Sequence, residues 1–201
     1  MIKNTFLLMS FLMLMAMDAH ADEVSAAPKI GFRLNNGLLT NSGTSSGSST
    51  TFGGLNPYVF VPVNPVIGFG AAYNIDFDFS GGSVPLKGFD VFARYYYWNT
   101  ASKITETFGD SKSVRLDRYS AYALFEVGTR SYFVGNEAGL PVAEQSGDSS
   151  IIDIGTGIDY RISSSFELNA ELNIGLMSFA GSDSRVKISG NLLKIGVGYL
   201  F

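Results

Sequence analysis

From Val66 to Phe79 the chain alternates at every residue, with Ile67, Phe69, Ala71, Tyr73, Ile75, Phe77 and Phe79 set against Gly68, Gly70, Ala72, Asn74, Asp76 and Asp78. Period two is the period of an extended strand, whose successive side chains point to opposite faces. The pattern recurs. Phe166, Leu168, Ala170, Leu172, Ile174 and Leu176 alternate with Glu167, Asn169, Glu171, Asn173 and Gly175. Ile152, Ile154, Thr156, Ile158 and Tyr160 alternate with Asp153, Gly155, Gly157, Asp159 and Arg161, and Tyr119 to Val127 and Leu193 to Phe201 behave the same way. A chain patterned like this must form sheets with one apolar and one polar face.

Alternation also suits a water-soluble sandwich, in which the apolar face is the inner one. Three features point to the reverse orientation. The alternating runs extend over about 10–14 residues, against about 5–6 for a globular strand, and match a tilted strand crossing a bilayer of about 30 Å. The polar face is rich in Gly and in charges of both signs, as the interior of a narrow barrel requires if its side chains are to fit and its charges to pair. Mean hydropathy is +0.18, high for a soluble protein, although the one long apolar stretch lies at the N-terminus.

That stretch reads as a secretory signal. Lys3 precedes an apolar run from Thr5 to Met17, and Ala19, His20 and Ala21 form the small-residue cleavage pattern, so residues 1–21 are expected to be removed before Asp22. Five of the six Met and the single His lie in this segment, and the chain has no Cys. The remaining residues, 22–201, are expected to form one transmembrane β-barrel domain. The formal charge of −4, with both signs interleaved, offers no basic stripe for nucleic acid.

The expected class is all-β: an antiparallel up-and-down barrel of eight strands at about 29–38, 66–79, 87–99, 113–127, 131–139, 149–161, 165–177 and 188–201. The connections then alternate long and short, matching long external loops and short periplasmic turns, with both chain ends periplasmic. Leu55–Val63 is assigned to the first external loop because Pro57, Pro62 and Pro65 each remove a ladder donor. The rival is that 55–63 is a strand and 87–99 an excursion. Thr40 to Gly54, rich in Ser, Thr and Gly, reads as solvated coil. Aromatic girdles are expected where Tyr95, Tyr96, Tyr97 and Trp98 meet one interface and Phe77, Phe79, Tyr160 and Phe201 the other.

The stretch Asp153–Gly175, DIGTGIDYRISSSFELNAELNIG, resembles the strand, short turn and strand unit of small OmpA/OmpX-type outer-membrane barrels, and Ile195–Phe201 resembles their terminal strand. Phe201 at the C-terminus with Tyr199 two residues earlier resembles the signal read by the outer-membrane assembly machinery. The resemblance implies a barrel in an outer membrane of the Gram-negative type. Outer-membrane lipid, lipopolysaccharide and the assembly machinery are the implied partners. The long Pro-bearing first connection and the Tyr95–Trp98 run depart from the family pattern. Enzymes built on such barrels commonly depend on a histidine, and none follows residue 21.

Little in the chain suggests chemistry. Gly43-Thr44-Ser45-Ser46-Gly47 satisfies G-x-S-x-G, yet it lies in the Ser/Thr/Gly tract with no base in reach. Asn74, Asp76 and Asp78 share a strand face but lack the Gly and Glu that complete a calcium loop. No catalytic, cofactor or metal site is assigned. Arg33, Asp76, Asp78, Asp90, Arg94, Arg118, Glu126, Asp153, Asp159, Arg161, Glu167, Glu171 and Lys194 are read as a mutually compensated lumen network. The functional reading is a monomeric, non-enzymatic outer-membrane protein whose external loops carry a structural or adhesive role, toward host or cell-surface ligands. The alternative is a narrow, porin-like path for ions through the charged lumen.

Overall fold

The computed structural model describes residues 28–41, 49–78, 85–99, 104–108, 111–115, 117–134, 145–180 and 186–201. The signal segment, Ala19 and Ala21 included, and Phe79 lie outside these residues. All regular structure described is strand: β1 (Lys29–Asn41), β2 (Ser49–Pro62), β3 (Ile67–Asp78), β4 (Pro85–Trp98), β5 (Ile104–Phe108), β6 (Ser111–Arg115), β7 (Tyr119–Val134), β8 (Gln145–Arg161), β9 (Phe166–Ala180) and β10 (Val186–Leu200). Eight of them close an antiparallel barrel in the order β1-β10-β9-β8-β7-β4-β3-β2, while β5 and β6 form a separate two-stranded sheet. Closure rests on the β1–β10 ladder, which runs from Lys29 opposite Leu200 to Asn41 opposite Val186. A closed sheet leaves no edge whose backbone groups go unpaired in an apolar medium.

The alternation sorts side chains as a barrel immersed in lipid requires. Leu172 and Ile174 are 62% and 66% exposed, whereas Glu171 between neighbouring outward residues is 0% exposed. Ile30, Phe32, Leu34, Phe125, Val127, Ile154, Ile158, Leu168, Ile195 and Val197 also face out. Strands of 12–17 residues exceed the roughly 9–11 that a tilted strand needs to cross a bilayer's hydrocarbon. The outward residues change accordingly at the end away from the Lys29–Leu200 pair. There Lys87, Thr129, Ser131, Asp148 and Ser150 replace the aliphatic side chains, and Ser131 Oγ donates to Asp148 Oδ1 at 2.7 Å.

The strand count agrees with expectation, but two assignments behind it are corrected. Leu55–Val63 is not loop: residues 55–62 belong to β2, a full barrel strand, as do residues 49–54 of the tract read as coil. The β2–β3 ladder omits Asn56 and Pro57 and resumes in the same register, Leu55 opposite Ile75 and Tyr58 opposite Ala72. A proline costs one donor, and a fourteen-residue strand held on both sides absorbs the loss. Residues 87–98 are a barrel strand as well, so the rival reading holds for the strand at 55–62 and fails for the excursion at 87–99. The second correction joins 119–127 and 131–134 into β7, with no turn at 128–130. Gly128 is small because its lumen neighbour needs the space: a Cβ there would overlap the carboxylate of Asp90, its partner across the β4–β7 ladder.

These corrections change which end each connection occupies. The β2–β3 turn at 63–66, the β8–β9 turn at 162–165 and the ends of β4 and β7 that the 99–118 connection joins lie at the end bearing Lys29 and Leu200, hereafter the near end. The two short turns are built alike. Asn64 Oδ1 accepts from the amides of Val66 and Ile67, and Ser163 Oγ from those of Ser165 and Phe166. The connection after β4, expected outside as residues 100–112, carries the β5–β6 hairpin at the near end instead, and residues 113–115, expected to open a wall strand, belong to β6. The aromatic girdles shift with it. Tyr160 and Phe201 share the near end with Tyr95, Tyr97 and Trp98, Tyr96 faces the lumen, and Phe77 remains at the far end.

Candidate functional site: the charged and aromatic lumen

Among the described residues, six cations and seven carboxylates are buried: Lys29, Arg33, Arg94, Arg130, Arg161 and Lys194 against Asp76, Asp90, Glu126, Asp153, Asp159, Glu167 and Glu171. Their strands place them on the inner face by parity, and a wall eight strands around brings opposite walls within side-chain reach. The result is a stack of cross-barrel contacts between residues far apart in sequence.

Nearest the chain ends, Lys29 Nζ meets Glu167 Oε2 at 2.8 Å and Asp159 Oδ2 at 3.1 Å, and the Tyr96 hydroxyl donates to Asp159 Oδ2 at 2.9 Å. One level deeper, Glu171 is the hub. Arg33 Nη1 donates to its two oxygens at 2.9 and 2.7 Å, Arg94 Nη2 reaches Oε1 at 2.5 Å, and the Tyr122 hydroxyl donates to Oε1 at 2.9 Å. Arg33 Nε also donates to Asn56 Oδ1 at 2.6 Å. Toward the far end, Lys194 Nζ lies 2.6 Å from both oxygens of Glu126. Arg130 pairs with Asp90, its Nη2 donating to Oδ2 at 3.1 Å, and its Nε lies 3.8 Å from Asp76. Asn35 and Asn74 tie these carboxylates together, Asn35 donating to Asp76 at 2.8 Å and Asn74 to Asp90 at 2.5 Å.

Aromatic rings fill what the charges leave. Tyr58, Phe60, Phe92, Tyr96 and Tyr122 cluster in the near half of the lumen with Ala72 and Leu124. The Arg94 guanidinium lies 4.4 Å from the Tyr122 ring centre and 5.1 Å from that of Phe60, and Arg33 lies 4.7 Å over Tyr58. Such stacking suits arginine, whose planar, weakly hydrated head tolerates an aromatic wall. Phe60 and Phe92 are parallel to within 4° at 6.2 Å, with Gly70 between them in the sheet. A Cβ at Gly70 would strike Phe92, so this glycine is there for close approach.

Of the residues expected in the lumen, Arg33, Asp76, Asp90, Arg94, Glu126, Asp153, Asp159, Arg161, Glu167, Glu171 and Lys194 point inward and are buried. Arg118 does not join them. It precedes β7, is exposed, and its guanidinium lies 5.6 Å over the outward ring of Tyr160. The Asp78 side chain lies outside the described residues. Lys29, Arg130, Asn56, Tyr58, Tyr96 and Tyr122 were not foreseen, although Lys29 shares the parity of Arg33, and Arg130 that of Glu126. Asn56 and Tyr58 were hidden by the loop assignment of 55–63, and Arg130 by the turn placed at 128–130. At the near rim, Tyr199 stacks edge-on against Phe166 and Phe201, with centroids at 5.2 and 5.3 Å.

Solved structures share this architecture. Neisserial surface protein A superposes with a TM-score of 0.60 at 15% identity, covering 88% of this chain and 98% of that one. The fold is that of the small OmpA/OmpX-type outer-membrane barrels. Ail, the attachment invasion locus protein of Yersinia pestis, solved in complex with the heparin analogue sucrose octasulfate, gives a TM-score of 0.52 at 15% identity, covering 89% of this chain and all of the other. The N-terminal β-barrel domain of Pseudomonas aeruginosa OprF gives 0.50 at 11% identity, covering 88% and all of the two chains. At these identities the likeness is one of fold. No protein-family model matches the chain, and no curated protein sequence matches it.

Proposed function

We propose that this chain is an integral outer-membrane protein of the Gram-negative type, exported by residues 1–21, with residues 22–201 forming one monomeric barrel. Its role is surface contact or envelope structure, carried by the far-end connections. The observation that carries this reading is the inversion of the fold: large apolar side chains outward on every wall strand, and six cations and seven carboxylates buried within. In water that arrangement would expose a continuous apolar belt, which soluble proteins avoid. In lipid the same belt is the solvated surface.

The near end, with Lys29, Leu200 and two four-residue turns, is assigned to the periplasm, and the polar collar of Lys87, Thr129, Ser131, Asp148 and Ser150 to the external side. Tyr199 and Phe201 are the proposed signal for the assembly machinery. The Ail structure, holding a sulfated sugar analogue, supports ligand binding as a role open to this architecture. The lumen supports a plug rather than a path. Its buried acids and bases meet across the barrel and stack on rings that occupy the near half, and an interior filled in this way favours neither entry nor passage of an ion.

Purified barrel in detergent is expected to migrate differently on a gel before and after boiling, and to show no stable unitary conductance in planar bilayers. Solubility in plain buffer with unchanged mobility would overturn the membrane assignment. Steady conductance sensitive to charge reversal at Arg94 would restore the pore.

A further inference from the structure

Tyr95, Tyr97 and Trp98 stand apart from the lumen that Tyr96 faces, and a distinct device shapes this part of the near rim. The β4–β7 register shifts between Tyr96 and Trp98, a bulge that leaves Tyr97 and Trp98 both facing outward, at 58% and 57% exposure. Bulges re-aim side chains, and a barrel rim is where they concentrate. Asn99 follows with φ of 57°, and its side-chain amide donates to the Tyr119 carbonyl at 2.6 Å, turning the chain off the wall. On the next strands the Tyr119 and Tyr160 rings lie 5.1 Å apart, and the exposed Arg118 stacks on Tyr160. Arg118 is held from behind, since the Arg161 amide donates to its carbonyl at 2.9 Å and Arg161 Nη1 to that of Asp117 at 3.0 Å.

We propose that Arg118, with Tyr97, Trp98, Tyr119 and Tyr160, binds the phosphate of an anionic phospholipid in the membrane leaflet at the near end. The site rests on the membrane reading above and adds to it a lipid partner. Continuity with the apolar belt places it at headgroup depth, where amphipathic rings settle. The guanidinium supplies the planar donor pair that suits a phosphate. The rings flank the upper acyl chains. A zwitterionic lipid carries the same phosphate beside its own ammonium, so an anionic headgroup is favoured by the net charge facing Arg118.

The test offers phosphatidylglycerol or phosphatidylcholine to the purified full-length barrel and counts retained lipids by native mass spectrometry. Phosphatidylglycerol is expected to be preferred about five-fold, the ratio implied by ~1 kcal/mol for one interfacial cation. Arg118→Gln should bring the two lipids level, Arg118→Lys should keep part of the preference, and Lys87→Gln at the opposite rim should leave it unchanged. An unchanged preference in Arg118→Gln, or none in the natural chain, overturns the proposal. Displacement of the lipid by inorganic phosphate would mark a free-anion site and overturn it equally. Heat-dependent gel mobility, run on each variant, reports the barrel independently, so loss of the lipid site and failure of the membrane reading are told apart.

Discussion

Glu171→Ala is expected to destabilise the barrel by about 3–5 kcal/mol, the cost of leaving buried charge without its partner. Glu171 is bonded by both Arg33 and Arg94, and it also accepts from Tyr122, all at positions closed to solvent. After its removal Arg33 retains Asn56 and the ring of Tyr58, and Arg94 retains only a 3.9 Å approach to Asp159 and its aromatic neighbours. Neither replaces a bidentate carboxylate. Urea unfolding of the purified barrel measures the loss, and the double variant Glu171→Ala/Arg94→Met should recover part of it, because one orphaned charge goes with its partner. A single-variant cost under about 1 kcal/mol would mean that water reaches the cluster, which would remove the argument for a sealed lumen.

A single cysteine at Ser113 in β6 is expected to resist a membrane-impermeant maleimide on intact cells and to react fully once the outer membrane is permeabilised. The chain has no other Cys, so the label reports that position alone. The expectation follows from counting. Strands β1 to β4 alternate direction, so the connection after β4 lies beside Lys29 and Leu200, at the end assigned to the periplasm. Ser45→Cys, in the segment that joins Asn41 of β1 to Ser49 of β2, both strand ends opposite Lys29, should react on intact cells. Reversal of the two results would invert the barrel in the membrane, and labelling of both variants on intact cells would restore the external position that strand patterning first gave the connection after β4.

That difference shows where pattern reading stops. Leu168, Leu172, Asn169 and Asn173 declare their faces by type, and the same rule assigns Arg33, Arg94, Asp159 and Glu171 to the interior without any knowledge of neighbours. Proline and glycine misled it, because each has a local meaning that a closed sheet can override. Pro57 reads as a strand breaker, yet it interrupts the β2–β3 ladder only at Asn56 and Pro57 while the β1–β2 ladder runs through. Gly128 reads as a turn, yet gives room to Asp90. The two mistakes cancelled in the strand number while moving 99–118 to the other end.

Partnership across the lumen was beyond reach for another reason. Lys29 and Glu167 stand 138 residues apart, as do Arg33 and Glu171, and only closure and register bring them together. The linear chain by itself determined which side chains on the long alternating runs face outward and which inward, since burial preference is a property of each residue and period two is built into the extended backbone. The tertiary structure alone decided which acid meets which base, which end carries the hairpin, and that Tyr97 and Trp98 both face outward. Those outcomes depend on ladder register and a bulge, which arise between strands and are written in neither strand alone.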